Sequence, residues 1–176
     1  ILGDNIFYGT GFQSTLQNCT NPEGGIIFAY EVQDPERYGV VNFDPSGKAT
    51  LLEEKPKKPV SKFAVPGIYF YDNEVVFVAK SIVPSARGEL EITDVNKVYL
   101  EQNKLQVKVL DSGTTWLDTG TFTSLMQAAQ FVQVLQDRQG LSIGAIEDVA
   151  LQMGYINQNQ HHKLISLFIK SGYANQ

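Results

Sequence analysis

Apolar residues along the chain gather in short runs rich in β-branched and aromatic side chains and bounded by turn residues, which predicts strands over Gly25 to Val32, Tyr38 to Phe43, Ala49 to Glu54, Phe63 to Tyr71 and Leu105 to Leu110. Asp44-Pro45-Ser46-Gly47 is turn chemistry, so Tyr38 to Glu54 reads as a hairpin. Helical spacing predicts helices over Asn73 to Ser81 and Ile92 to Asn103. A long one is predicted from Thr121 to Gln139, where Leu125, Ala128, Ala129, Val132 and Leu135 recur at three- and four-residue steps and Gly140 supplies a C-cap. Strands alternating with helices, together with a hairpin, argue for an α/β domain built on a mixed sheet. Beyond Gly140, Ile146, Val149, Ala150 and Met153, then Leu164, Leu167 and Phe168, predict two short amphipathic helices. Residues 141–176 are thus expected to form a helical appendage to residues 1–140. Ile1 to Asn5 reads as the carboxyl end of a buried strand running into a loop, and the chain is expected to be a fragment of a longer protein.

Composition narrows the function classes. With 176 residues, 43% of them apolar and 19% charged, the chain has an ordinary globular make-up that excludes disordered and fibrous classes. Fourteen basic against nineteen acidic side chains give a formal charge of −5, which supplies no global field for nucleic acid or anionic lipid. Any anionic ligand must be held by local cations. A single cysteine, Cys19, permits no internal disulfide, and no apolar run approaches the roughly 20 residues needed to cross a bilayer. A cytoplasmic location is expected. Cys19 is expected in the core or a loop and His161 and His162 in solvent, since none has partners at metal-ligand spacing.

Three acidic positions stand out by placement. Asp4 follows an apolar run, Asp118 lies in Trp116-Leu117-Asp118-Thr119-Gly120-Thr121 ahead of the long helix, and Glu54 with Lys55 closes a strand before Pro56. Ligands of open α/β sheets collect outside the carboxyl ends of strands, and two convergent aspartates suit magnesium, which prefers oxygen ligands and shares them with substrate phosphates. Asp4 as a turn residue and Asp118 as a helix N-cap or its neighbour fit the same spacing. Lys55 beside Glu54 suits a phosphate ligand beside a sugar-hydroxyl acceptor, and equally a solvated charge run. Gly39 and Gly67 allow close backbone approach to a ligand, or a turn or bulge.

Six runs shift this balance: Leu-Gly-Asp-Asn-Ile-Phe-Tyr-Gly (2–9), Asp-Pro-Glu-Arg-Tyr-Gly-Val-Val (34–41), Leu-Glu-Glu-Lys-Pro-Lys (52–57), Ala-Val-Pro-Gly-Ile-Tyr-Phe-Tyr-Asp (64–72), Ala-Arg-Gly-Glu-Leu-Glu-Ile-Thr-Asp (86–94) and Trp-Leu-Asp-Thr-Gly-Thr (116–121). Together and in this order they resemble the glucose-1-phosphate thymidylyltransferases, a family of sugar nucleotidyltransferases. The resemblance extends weakly into the tail at Arg138-Gln139-Gly140 and Gly172-Tyr173. It implies a three-layer, Rossmann-like mixed sheet of the nucleotide-diphospho-sugar transferase type, of which this chain is the carboxyl-terminal portion with a small helical tail. The family's glycine-rich phosphate loop, its Lys-Gln motif and its base-recognition residues have no counterpart here.

By that resemblance, glucose 1-phosphate attacks the α-phosphorus of dTTP to give dTDP-glucose and pyrophosphate with Mg2+. Asp4 and Asp118 correspond to the metal-binding aspartates, Lys55 to the lysine on the sugar phosphate and Glu54 to the acceptor for glucose hydroxyls. Gly39 and Val65 would offer backbone contacts to the sugar, Tyr69 would line its pocket and Arg87 would help to hold phosphate. Residues 1–140 would then be the sugar-phosphate and metal-binding part of a protein that the family implies is a homotetramer, and this chain alone would be inactive. Tyr8 and Gly9 match one side of a regulatory nucleotide site. Asp111-Ser112-Gly113 stands where relatives have Gly-Arg-Gly, so feedback inhibition should be weak unless Lys163 or Lys170 replaces the missing cation. Two other readings are a glucose-1-phosphate uridylyl- or adenylyltransferase and a catalytically idle sugar-nucleotide-binding relative.

Overall fold

The computed structural model describes residues 1–140 and 142–168. They divide into two compact units, Ile1–Thr119 and Gly120–Gln176. The first contains β1 (Asn5–Gly9), α1 (Phe12–Gln17), β2 (Gly25–Glu31), a single 3-10 turn at Pro35–Arg37, β3 (Gly39–Phe43), β4 (Ala49–Glu54), β5 (Phe63–Ala64), β6 (Tyr69–Tyr71), α2 (Val75–Ser81), α3 (Ile92–Glu101), β7 (Leu105–Val109) and β8 (Thr114–Asp118).

The sheet is organised around β2. Its side chains alternate, as pleating requires: Ile26 and Phe28 enter a cluster with Cys19, Ile68 and Leu110, while Ile27 and Ala29 enter one with Val41, Ala49 and Leu52. Ile27, Phe28 and Ala29 are fully buried, so both faces of the strand are covered. β7 runs parallel to β2 from Gly25↔Leu105 to Ala29↔Val109, whereas β5 and β6 run antiparallel to it. The sheet is therefore mixed, as expected, and the 38–54 hairpin forms as β3 and β4 with Gly39 opposite Glu54. A separate two-stranded antiparallel ladder joins β1 to β8, with Asn5 opposite Asp118 and Gly9 opposite Thr114.

Several expectations are corrected. Residues 63–71 are not one strand. Between Tyr30↔Ala64 and Ile27↔Tyr69 this segment carries two more residues than β2, and Pro66 with Gly67 forms the resulting strap. Proline has no N–H for a ladder, which is why the break falls there. Asp4 does not end a strand; it occupies the turn that leads into β1. Asp118 ends β8, a strand that the run before the long helix did not suggest. Helix α1, introduced by Gly11 in the left-handed region at φ 84°, was also not foreseen.

In the second unit, α4 (Phe122–Gln139) begins at a capping box in which Thr121 Oγ1 accepts from Ser124 N and Ser124 Oγ accepts from Thr121 N, both at 3.1 Å. Gly140 closes it at φ 62°, the expected C-cap. Of the predicted apolar stripe only Ala128 is buried, and Leu125 is exposed. The two short helices are α5 (Ile146–Gln152) and α6 (Gln158–Ser166). Here the chain divides ahead of α4, so the long helix groups with the tail and not with residues 1–119. His161 does not face solvent. It is buried, with Nε2 2.6 Å from Asp148 Oδ1, because the imidazole ties α6 to α5; His162 is exposed as expected. Among the described residues no helix is long and apolar enough to cross a membrane. Lys170, Gly172 and Tyr173 lie outside them.

Gly24 marks where β2 is sewn to the rest of the sheet. It has φ 116°, its carbonyl accepts the Asp72 N–H at 2.9 Å, and a Cβ there would collide with the Lys104 carbonyl oxygen. Gly24→Ala is expected to cost at least about 2 kcal/mol through backbone strain and that collision, measured by chemical denaturation.

Candidate functional site: two aspartates and a half-buried glutamate

The β1–β8 ladder brings the two candidate aspartates to one end of the same pair of strands. Asn5 faces Asp118, and one step further Thr119 donates both its N–H (2.8 Å) and its hydroxyl (3.0 Å) to the Asp4 carbonyl. This closes the end of the ladder across 114 residues of sequence. The Asp4 carboxylate accepts a 2.8 Å hydrogen bond from Asn5 Nδ2 and is exposed. Arg37 bridges two carboxylates, with Nη2 3.1 Å from Asp118 Oδ2 and Nη1 2.9 Å from Asp34 Oδ2. The hydrogen bond to Asp34 raises the Arg37 pKa further above its ordinary value, against a smaller opposing effect of burial. Its guanidinium also lies over the Tyr38 ring at 5.2 Å, and that ring packs on Trp116 with centroids 4.9 Å apart.

Among the described residues no three His, Cys, Asp or Glu side chains group closely enough to cage a metal. Two carboxylates at one ladder end fit the other mode. Magnesium commonly takes one or two protein carboxylates and completes its shell with water and substrate phosphates.

Glu54, at the end of β4, is held by a second network. Thr93 is buried and donates its hydroxyl to Glu54 Oε2 at 2.5 Å, while Arg87 Nη1 lies 3.6 Å from Glu54 Oε1. The same guanidinium lies 2.8 Å from Glu89 and 3.4 Å from the buried Glu91, which accepts from Ser85 Oγ at 2.9 Å. Arg87 is thus surrounded by three carboxylates. Gly39 sits against this group because a Cβ there would lie 3.0 Å from Thr93 Oγ1 and 3.2 Å from Glu54 Oε2. Its carbonyl accepts the Val65 N–H at 2.7 Å, so that backbone pair is engaged with itself. Lys55 is exposed and turns the chain off β4 at φ 43°, in the left-handed region that non-glycine residues seldom adopt, with its N–H on the Tyr38 carbonyl at 3.0 Å.

Tyr69 links the two networks electrostatically. Burial pushes its hydroxyl pKa well above the ordinary tyrosine value, and the negative charges of Glu54 and Asp4 push it the same way. The structure therefore gathers Asp4 with Asp118, and Glu54 with Gly39, Val65 and Arg87, and sets Tyr69 where it feels both. Across the ladder Tyr8 pairs with Thr115 and Gly9 with Thr114, and a Cβ on Gly9 would lie 2.8 Å from the Gly113 carbonyl oxygen. Asn5, Arg37, Glu91, Thr93 and Trp116 were present in the sequence motifs without an assigned role. The only signal for them was their position inside those motifs, because Asn5, Arg37, Thr93 and Trp116 act through partners distant in sequence and Glu91 through the Arg87 that also meets Glu54.

Comparison with known proteins shows the family. Residues 1–134 match the family model described as nucleotidyl transferase. The chain is 53% identical over 173 residues to a glucose-1-phosphate thymidylyltransferase of Mycolicibacterium smegmatis, covering 98% of this chain and 60% of that protein. It is 48% identical over 175 residues to one of Neisseria meningitidis, covering 99% and 61% respectively. The chain thus spans about 60% of the length of the curated relatives it matches. A crystal structure from Bacillus anthracis, assigned as a glucose-1-phosphate thymidylyltransferase, superposes with a TM-score of 0.63 at 43% identity over 74% of this chain and 52% of that one. A UDP-glucose pyrophosphorylase at 19% identity shares the fold, with a TM-score of 0.62 over 74% of this chain and 54% of that one. The chain belongs to the nucleotidyl transferase family.

Proposed function

We propose that the complete protein carrying this chain transfers a thymidylyl group from dTTP to glucose 1-phosphate, releasing pyrophosphate, and that this chain supplies the sugar-phosphate and metal side of the site. The observation that carries the reading is the placement of Asp4 and Asp118 at one end of the β1–β8 ladder, where Asn5 faces Asp118 and Thr119 bonds the Asp4 carbonyl, with Tyr69 responding to both Asp4 and Glu54. The relatives at about half identity that bear the thymidylyltransferase name support it.

The chemistry asks little of a base. A sugar phosphate is anionic at neutral pH, so its oxygen is already a nucleophile, and the site must hold two repelling anions in line. Asp4 and Asp118 would hold Mg2+, which when bound offsets charge on the nucleotide phosphates. Glu54, fixed by Thr93, accepts hydrogen bonds from sugar hydroxyls, and the Gly39 N–H and Val65 carbonyl add backbone contacts. Lys55, exposed at the end of β4, reaches the sugar phosphate. Arg87 gives phosphate a second cation once its carboxylate neighbours share it. Tyr69 stays a neutral phenol because burial and two nearby carboxylates oppose its ionisation.

The direct experiment is pyrophosphate release by the complete protein with glucose 1-phosphate and dTTP, UTP or ATP. A preference for dTTP is expected, and a preference for UTP or ATP overturns the thymidylyl assignment. In the same assay Lys55→Ala should raise the KM for glucose 1-phosphate by roughly 10- to 100-fold while leaving that for dTTP within about threefold, as befits one lost charge-assisted contact. Equal losses for both substrates would contradict the role given to Lys55.

Tyr8, Gly9 and the 111–113 turn form the remnant of a regulatory nucleotide site whose main phosphate anchor is absent, since Ser112 offers one neutral hydroxyl where an arginine would offer two parallel charged donors. Inhibition of the complete protein by an end-product sugar nucleotide should accordingly be weak. Ser112→Arg should strengthen it by about tenfold or more; tight inhibition of the native protein, unchanged by the arginine, would show that the anchor was never lost.

A further inference from the structure

Asn5 makes three hydrogen bonds that fix its side chain in a single orientation. Its Oδ1 accepts from Trp116 Nε1 at 2.7 Å and from the Gly67 backbone N–H at 2.9 Å. Indole and backbone N–H groups are donors only, so the oxygen must point at them and the NH2 end must point away. That end lies 2.8 Å from Asp4 Oδ1. The amide is therefore aimed by its fixed partners at a carboxylate on an exposed turn.

Close packing restrains the amide further. A Cβ on Gly67 would lie 2.8 Å from Asn5 Nδ2 and 2.8 Å from Leu2 Cβ, so the Pro66–Gly67 strap approaches in a way only glycine permits. The Gly67 carbonyl also accepts the Leu2 N–H at 2.7 Å, which anchors the turn carrying Asp4 to the same strap. Trp116 is held from other sides by Tyr38 and Tyr30, with ring centroids at 4.9 and 5.8 Å.

We infer that Asn5 is the positioning residue for Asp4: it restrains a metal-binding carboxylate on an exposed turn by coupling it to the Trp116 indole and the Gly67 strap. This rests on the reading of Asp4 as a metal ligand. Partners that hydrogen-bond to a ligating carboxylate orient it before the ion arrives, and their loss commonly weakens metal binding by about 10- to 100-fold. Asn5 also ties the turn bearing Asp4 to the segment bearing Val65 and Tyr69, so the sugar side and the metal side share one pinned amide.

The test is Mn2+ affinity of the complete protein in the presence of dTTP, followed by electron paramagnetic resonance, with thermal melting and tryptophan emission recorded alongside. Asn5→Leu keeps the bulk and removes all three hydrogen bonds; Mn2+ affinity should fall about tenfold in a folded protein, with a shifted tryptophan emission. Trp116→Phe releases one of the two donors that aim the amide and should weaken Mn2+ about two- to threefold, which carries the test if Asn5→Leu does not fold. Asp4→Asn separates the two levels. Native Mn2+ affinity in Asp4→Asn overturns the metal reading and this inference with it. Loss in Asp4→Asn with native affinity in folded Asn5→Leu, or in Trp116→Phe where Asn5→Leu does not fold, overturns the positioning role alone.

Discussion

The antiparallel pairing of β1 with β8 is the interaction on which the rest depends. It joins residues at the two ends of the first unit, with Asn5 opposite Asp118, and without it Asp4 and Asp118 are separated by more than a hundred residues of chain. Closing so long a loop costs entropy that grows only slowly with length, and five ladder pairs plus the packing of Trp116 against Tyr30 and Tyr38 offset it. Arg37, bonded to Asp118 and Asp34, offsets negative charge at the Asp118 side of this end, although its partial exposure keeps the stabilisation small.

The glutamate side works by a different physics. Glu54 is half-buried and would be costly there if left unpaired, yet the Thr93 hydroxyl and the Arg87 guanidinium meet its two oxygens separately. Glu91 and Glu89 compete for the same arginine, so Arg87 is not fully committed to Glu54. That sharing suits a side chain meant to exchange one anionic partner for another. Gly39 completes the arrangement by leaving the space a Cβ would fill.

Much of this was legible in the sequence, for identifiable reasons. Strands β2, β3, β4 and β7 carry their own signal in β-branched and aromatic runs, and the Asp44–Gly47 turn fixes the hairpin. Thr121 and Gly140 announce the ends of α4. Several misses share a cause: each depends on a partner outside its own local pattern. Trp116-Leu117-Asp118 becomes a strand only because β1 pairs with it, and Asp4 precedes a strand only because the same pairing starts at Asn5. The kink at Pro66-Gly67 needs β2 to show that two residues are extra. His161 is buried because α5 offers Asp148, which no local pattern around the histidine announces. The residues proposed to contact substrate were readable from motifs, whereas those that hold them in place, Asn5, Thr93 and Arg37, required the structure.

The central claim is that Asp4 and Asp118 act as one unit, and a double-mutant cycle on kcat/KM of the complete protein tests it most directly. If both carboxylates serve a single ion, Asp4→Asn and Asp118→Asn should each lower activity by orders of magnitude, and the double variant should fall no more than about threefold below the worse single one. Losses that multiply in the double variant, as for independent sites, would contradict the account.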